Sequence, residues 1–272
     1  MSTMTLMATC SLKPVSQPPH RGHPLPKFTE DDLSPVAPTP PFRLVLDAAL
    51  ACHGLLLRGG WRPGPQDLLP PLPGGKKAAV VWMVGGIGSQ LWPAFKASPF
   101  FQDGLAHPLD RWSQDIGEAL ANRWGGVALY PFEGPPHYPF QQWATRAEQL
   151  QSSPMMLRIH PKHGLWHAYR FALALAEVLP GDLQLTSSTQ EAHKPDLCLT
   201  CVGQPCLRVC PVQAYTGTTF ELNACAAHLK TVEGKACMQM GCMARRACPV
   251  GQQHTYVPEH AAFHMNAFVN SR

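Results

Sequence analysis

The chain has 272 residues, 45% of them hydrophobic, and 22 Lys and Arg against 18 Asp and Glu, for a formal net charge of +4. That length supports one large domain or two smaller ones, each with a core. No run of about 18 apolar residues occurs, the nearest approach being Ala78 to Gly88, so no membrane span and no membrane partner are expected. Met1 to Cys10 is apolar but carries no basic residue, and proline follows without a small-residue cleavage site. A secretory signal is therefore not expected, and the expected location is cytoplasmic.

The charge is unevenly shared. From Ala192 to Arg272 there are 7 basic and 4 acidic residues, which leaves 15 (22 − 7) and 14 (18 − 4) for the rest, so the last part carries +3 of the +4. A basic surround lowers the cost of burying a negatively charged metal cluster. An ordinary solvated basic face is the plainer reading. No segment reaches the Lys/Arg density of a nucleic-acid arm, and no nucleic-acid partner is expected.

In chain order, residues 1–41 hold nine prolines and few apolar positions, which predicts a mobile tail. Helical spacing starts at Phe42 and runs through Leu46, Ala49, Leu50 and Leu57, with Gly59-Gly60 read as its end. A Pro/Gly-rich linker to Gly75 follows. Ala78 to Val84 reads as a strand buried on both faces, and Gly85-Gly86-Ile87-Gly88 as a loop after it. That loop hints at phosphate binding but lacks the third glycine of the dinucleotide fingerprint. Leu109, Trp112, Ile116, Leu120 and Trp124 predict an amphipathic helix closed by Gly125-Gly126, with a strand over Val127 to Tyr130. Phe140 to Leu150 reads as a helix, and Phe171 to Val178 as either strand or helix. The order predicts an α/β (α+β) domain over 42–190 and a small module held by cofactors over 191–272.

Eight of the ten cysteines lie between Cys198 and Cys248. In a chain without an export signal, such a cluster points to metal ligation rather than disulfides. The first group reads Cys198-x2-Cys201-x4-Cys206-x3-Cys210-Pro211, and the second Cys225-x11-Cys237-x4-Cys242-x5-Cys248-Pro249. In two-cluster ferredoxins, three cysteines of a run hold one cubane and the fourth, before proline, reaches the other. Applied here, two [4Fe-4S] clusters are expected, one on Cys198, Cys201, Cys206 and Cys248, the other on Cys210, Cys225, Cys237 and Cys242. The gaps of four and five residues depart from the usual two and three. Structural zinc is the rival, although its sites favour paired Cys-x2-Cys knuckles. Cys10 and Cys52 read as plain thiols.

The order of the eight cysteines, with Cys225 alone in Leu222-Asn223-Ala224-Cys225-Ala226-Ala227-His228-Leu229, resembles the ferredoxin module of epoxyqueuosine reductases and of corrinoid reductive dehalogenases. A second resemblance lies further forward. His160-Pro161-Lys162-His163-Gly164-Leu165-Trp166-His167-Ala168-Tyr169-Arg170 places three histidines at gaps of three and four, which could share a helix face and bind a metal. The intervening glycine and proline favour a structural role. Together with Leu72-Pro73-Gly74 and His107-Pro108-Leu109-Asp110, this segment is similar to the cobalamin-processing family of the C complementation group.

The resemblance implies a nitroreductase- or flavin-reductase-like fold before the dicluster module, with Trp166, Arg170 and His160 shaping a corrinoid pocket. Gln151 occupies the place where epoxyqueuosine reductases keep a catalytic aspartate, and an amide cannot donate that proton. The helical repeats that bind tRNA in that family are also missing, so epoxyqueuosine reduction is not expected. The expected function is an iron–sulfur oxidoreductase passing electrons through two clusters to a bound corrinoid. The alternatives are a non-catalytic ferredoxin-type carrier docking a redox partner protein, and an FMN-dependent reductase.

Overall fold

The computed structural model describes residues 42–178 and 196–271. The proline-rich tail with Cys10, and the expected boundary at 190/191, lie outside the described residues. The first described part is built on an antiparallel sheet in the order β1-β2-β6-β3, formed by Leu56–Trp61, Val80–Ile87, His167–Leu175 and Val127–Leu129. A two-stranded ribbon, β4 (Gln151–Ser152) with β5 (Arg158–Ile159), stands beside it. The chain is thus mixed α and β, with a small antiparallel sheet.

Alternation along β2 and β6 divides the core into two layers. Val80, Trp82 and Val84 join Phe171, Leu173 and Leu175 under the helices α1 (Phe42–Ala51), α2 (Trp92–Ala97) and α4 (Pro108–Trp124). Val81, Met83, Ala172 and Ala174 face the other way, against α5 (Phe140–Ala147) with Phe140, Trp143 and Ala144. β2 is therefore buried on both faces, and its continuous apolar run is the sequence signature of that position. Between α2 and α4 lies the short helix α3 (Pro99–Gln102). α4 begins on Pro108 and stops at Gly125 (φ 64°), the left-handed residue that caps a helix end.

Two expectations change, and one open between strand and helix falls to strand. The first helix ends at Ala51, and Gly59-Gly60 lie inside β1 rather than at a helix terminus. A Cβ on Gly60 would stand 2.8 Å from the Trp82 ring, so this glycine permits close packing. Gly85-Gly86-Ile87 is not a loop but the end of β2, where a Cβ on Gly85 would meet the Ala168 carbonyl at 1.9 Å. Those glycines serve strand contact at a register irregularity, not phosphate binding. Phe171 to Val178, open between strand and helix, lies largely in β6.

The cysteine-bearing part consists of short helices: α6 (Pro205–Arg208), α7 (Leu222–Leu229), α8 (Lys235–Met240), α9 (Met243–Arg246) and the longer α10 (Pro258–Asn270). It packs directly on the sheet body. His260 stacks on Trp92 with ring centroids 4.9 Å apart, Lys96 pairs with Glu259 at 2.6 Å, and Phe263 packs on the first core layer. The Gln151 side-chain oxygen accepts the Leu197 N–H at 2.8 Å, beside Cys198.

Gly164 (φ +59°) makes the tightest of these contacts, since a Cβ there would lie 1.9 Å from the Val250 carbonyl oxygen. Gly164→Ala should therefore destabilise the chain by at least about 1–2 kcal/mol from the left-handed backbone alone, with more from the clash. Thermal melting checks this, and a wild-type midpoint would show that the two parts do not meet there.

Candidate functional site: two sets of thiols and an adjoining cavity

The eight cysteines come from turns and short helices that have almost no core of their own. Those resolved as shifted all have thiols pushed above the ordinary range, first by burial. Cys198 rises to about 11, with Asp196 and then Cys248, Cys206 and Cys201 opposing its ionisation. Cys206 is raised by burial and then by Cys248 and Cys201, and Cys248 by burial and then Cys201. Cys225 rises to about 11 through burial and then Cys242, Cys210 and Cys237. Cys242 is raised by burial and then, among the thiols, by Cys237 and Cys210.

For these five cysteines, every opposing thiol belongs to the same set of four. Cys248 stands with Cys198, Cys201 and Cys206, and Cys210 with Cys225, Cys237 and Cys242. The two sets share one apolar cluster, in which Met155, Ile159, Leu165 and Ala244 pack together with Cys198, Cys206 and Cys248 of one set and Cys210 and Cys242 of the other. Ala214 donates its N–H to the Cys210 sulfur at 3.4 Å, and the Tyr215 hydroxyl hydrogen-bonds Cys242. Among the described residues, no three His, Cys, Asp or Glu side chains converge as ligands of a single metal ion would. Cys52 is exposed just beyond α1 and belongs to neither set.

The three residues expected to shape one pocket have three different surroundings. Trp166 is buried, with the Arg245 guanidinium 4.5 Å from its ring and Tyr256 edge-on at 5.3 Å. Arg170 reaches the start of α4, donating to Asp110 at 2.5 Å and to Ser113 Oγ at 2.9 Å. This joins the His107–Asp110 segment to the end of the histidine-rich one, beside a cavity of about 610 Å³ under α10. His160 lies in a turn, bridged to Gly164, and its Nδ1 accepts the N–H groups of Lys162 and His163 at 3.0 and 3.1 Å.

The histidines do not share a helix face. His160 and His163 stack at 4.3 Å in the turn, His163 meets His254 at 3.1 Å, and His167 opens β6 with its Nε2 on the Arg158 carbonyl at 3.1 Å. Burial, then like charge from neighbours including Arg58, lowers His160 and His163 to about 4 and His167 to about 3. At the start of α10 the Val257 N–H donates to Ser89 Oγ at 2.9 Å, and the same hydroxyl shares a hydrogen bond with His260 Nδ1 at 3.0 Å. His260 and His264 then meet through their Nε2 atoms at 3.0 Å, and burial lowers them to about 3 and about 4.

These five histidines are kept neutral in the fold, while the ordinary value is 6.5. Below 6.5 the unfolded chain binds protons that the folded chain refuses. Stability is full above that value and falls as pH drops towards about 4. Denaturant midpoints measured across this range should decline, and His260→Phe, which keeps the stack on Trp92 and Tyr256, should make the decline shallower. A flat profile would contradict the assignment.

Between these elements lies a cavity of about 440 Å³, lined on its apolar side by Phe140, Leu150 and Leu165 and on its polar side by His167, Arg245 and His264. Leu165 belongs both to this wall and to the apolar layer around the thiols. Arg245 is on α9, in the stretch between Cys242 and Cys248. The cavity and the thiols thus share a partition. Sequence reasoning missed Arg245, Tyr256 and His264, and the only signal they leave is their position among and just after the cysteines. The chain matches no known protein family and no curated protein, so its own residues carry the functional reading.

Proposed function

We propose that the chain is an iron–sulfur oxidoreductase whose eight cysteines hold two [4Fe-4S] clusters beside the cavity at the start of β6. The observation that supports this is the division of the opposing thiols into two sets of four, each in a half-buried apolar setting. Such clusters, when bound, supply one-electron transfer at a potential set by hydrogen bonds to sulfur, net charge and solvent exposure. Zinc sites favour paired Cys-x2-Cys knuckles, a spacing present here only in Cys198-x2-Cys201. Because burial holds the thiols protonated, ligation must release protons, and assembly should be favoured as pH rises. The Tyr215 hydroxyl and the Ala214 N–H would stabilise the ligated sulfurs of Cys242 and Cys210.

The electron acceptor in this reading is a small molecule in the 440 Å³ cavity, separated from the thiols by Leu165 and Arg245. The corrinoid version asks Trp166, Arg170 and His160 to act together. Trp166 is covered by Arg245, and Arg170 is committed to Asp110. A ferredoxin-type carrier is supported by a different observation. Leu199 and Val202, on either side of Cys201, are 79% and 96% exposed, an apolar edge suited to a partner protein.

Protein purified without oxygen decides among these. Visible absorption that bleaches on adding dithionite is the expected result, and its absence overturns the cluster reading. Reduction of added hydroxocobalamin or FMN by the dithionite-reduced chain would name the acceptor. Failure of both, with bleaching intact, favours the carrier.

A further inference from the structure

The cavity beside β6 carries an electrostatic imbalance that the cluster reading does not use. Its lining includes Arg158, Arg245, His167 and His264, and no carboxylate. Elsewhere in the described chain Arg58 pairs with Glu148, Arg146 with Asp67 and Arg170 with Asp110, while the neighbouring Arg246 is half-buried with an unpartnered Nε and does not line the cavity. Arg245 has no carboxylate partner among the described residues. Its Nε and one Nη hydrogen-bond the Leu165 carbonyl at 3.1 and 2.5 Å, and its other amino group makes no hydrogen bond there. The guanidinium carbon lies 4.5 Å from the ring centroids of both Trp166 and Tyr256, which stand edge to face at 5.3 Å. The charge is therefore fixed in orientation before any ligand arrives, which lowers the ordering cost of binding.

The geometry points to this cavity as a binding site for an anionic small molecule with an apolar body, its carboxylate or phosphate on Arg245 and its body against Phe140, Leu150 and Leu165. Planar guanidinium groups favour two-point contact with such oxyanions. His167 and His264, held neutral by burial, add hydrogen-bonding capacity without adding charge, which leaves Arg245 and Arg158 as the charges of the site. The apolar wall and a volume of about 440 Å³ are those of a small-molecule site. The inference stands apart from the cluster reading, because binding there needs no electron transfer.

Calorimetric titration of the full-length chain, purified without oxygen, tests it with 2-naphthoate and its cationic counterpart 2-naphthylmethylammonium. The carboxylate should bind at one site and the ammonium should not. Arg245→Met should weaken naphthoate binding by about tenfold or more. Arg245 also packs on two aromatic rings, so a second variant is needed. Leu157→Trp lies on the cavity wall at a residue 40% exposed, where added bulk is tolerated by the fold, and it should block binding equally. Absence of naphthoate binding, equal binding of both probes, or unchanged binding in either variant overturns the proposal. Naphthoate binding by protein that takes up no iron on reconstitution without oxygen would sink the cluster reading and leave this one standing.

Discussion

Glu148→Ala should lower the stability of the folded chain by about 3–5 kcal/mol, the cost of leaving a buried charge without its partner. Arg58 sits on β1 with its side chain 2% exposed, and Glu148 follows α5 at 17%. The pair is bidentate, Nε to Oε1 at 3.1 Å and Nη2 to Oε2 at 2.8 Å, and a third bond runs from Nη1 to the Gly86 carbonyl at 3.1 Å. Tyr169 donates its hydroxyl to the same carboxylate, and the guanidinium lies 5.1 Å from the Tyr169 ring centroid.

One carboxylate thus joins β1, β2 and β6 to the segment after α5. Removing it strands both a cation and a phenol. For a chain of this size the loss should appear as a melting temperature lower by about 6–20 °C. Replacing both partners with apolar residues should recover much of it, because the pair's desolvation cost disappears along with its attraction. A loss below about 1 kcal/mol in the single variant would place the pair with ordinary surface bridges.

The second large effect concerns the thiols. Cys210→Ser and Cys237→Ser should each lower the iron content from about eight to about four per chain and remove the same signal from the spectrum of the reduced protein. Cys248→Ser should instead remove the signal lost in Cys198→Ser. Cys210 lies only four residues from Cys206 in sequence, so a pairing by proximity in the chain would predict the opposite. The thiols of Cys210 and Cys237 oppose the ionisation of Cys225, and that of Cys248 opposes Cys198. Loss of one signal in both Cys210→Ser and Cys198→Ser would show that the sets are wrongly drawn.

Elements that bury a regular stripe were legible in the sequence. α4 carries its periodicity over 17 residues, and the Val80–Val84 part of β2 was legible as a continuous apolar run although the glycines that end the strand were read as a loop. β1 was misread because Leu56, Leu57 and Trp61 are separated by Arg58 and two glycines, which look like a helix end. Arg58 is accepted in that strand only because Glu148 waits 90 residues away, and no local pattern records such a partner. α10 was not anticipated. Its buried face is built from His260 and Ala261 rather than from large aliphatic residues, and its packing partners Trp92 and Ser89 lie far off in sequence.

The thiols were legible as chemistry, because eight cysteines at short spacing restrict the alternatives to a few. The cavity was not. Its walls come from α5, the turn before β6, β6 itself, α9 and α10, and what makes it distinctive is a charge without a partner, a property of the assembled site.

Iron and acid-labile sulfide measured on protein purified and reconstituted without oxygen test the central claim most directly. About eight of each per chain is the predicted result, with zinc present only in traces. Stoichiometric zinc, or no metal that survives gel filtration, would contradict it.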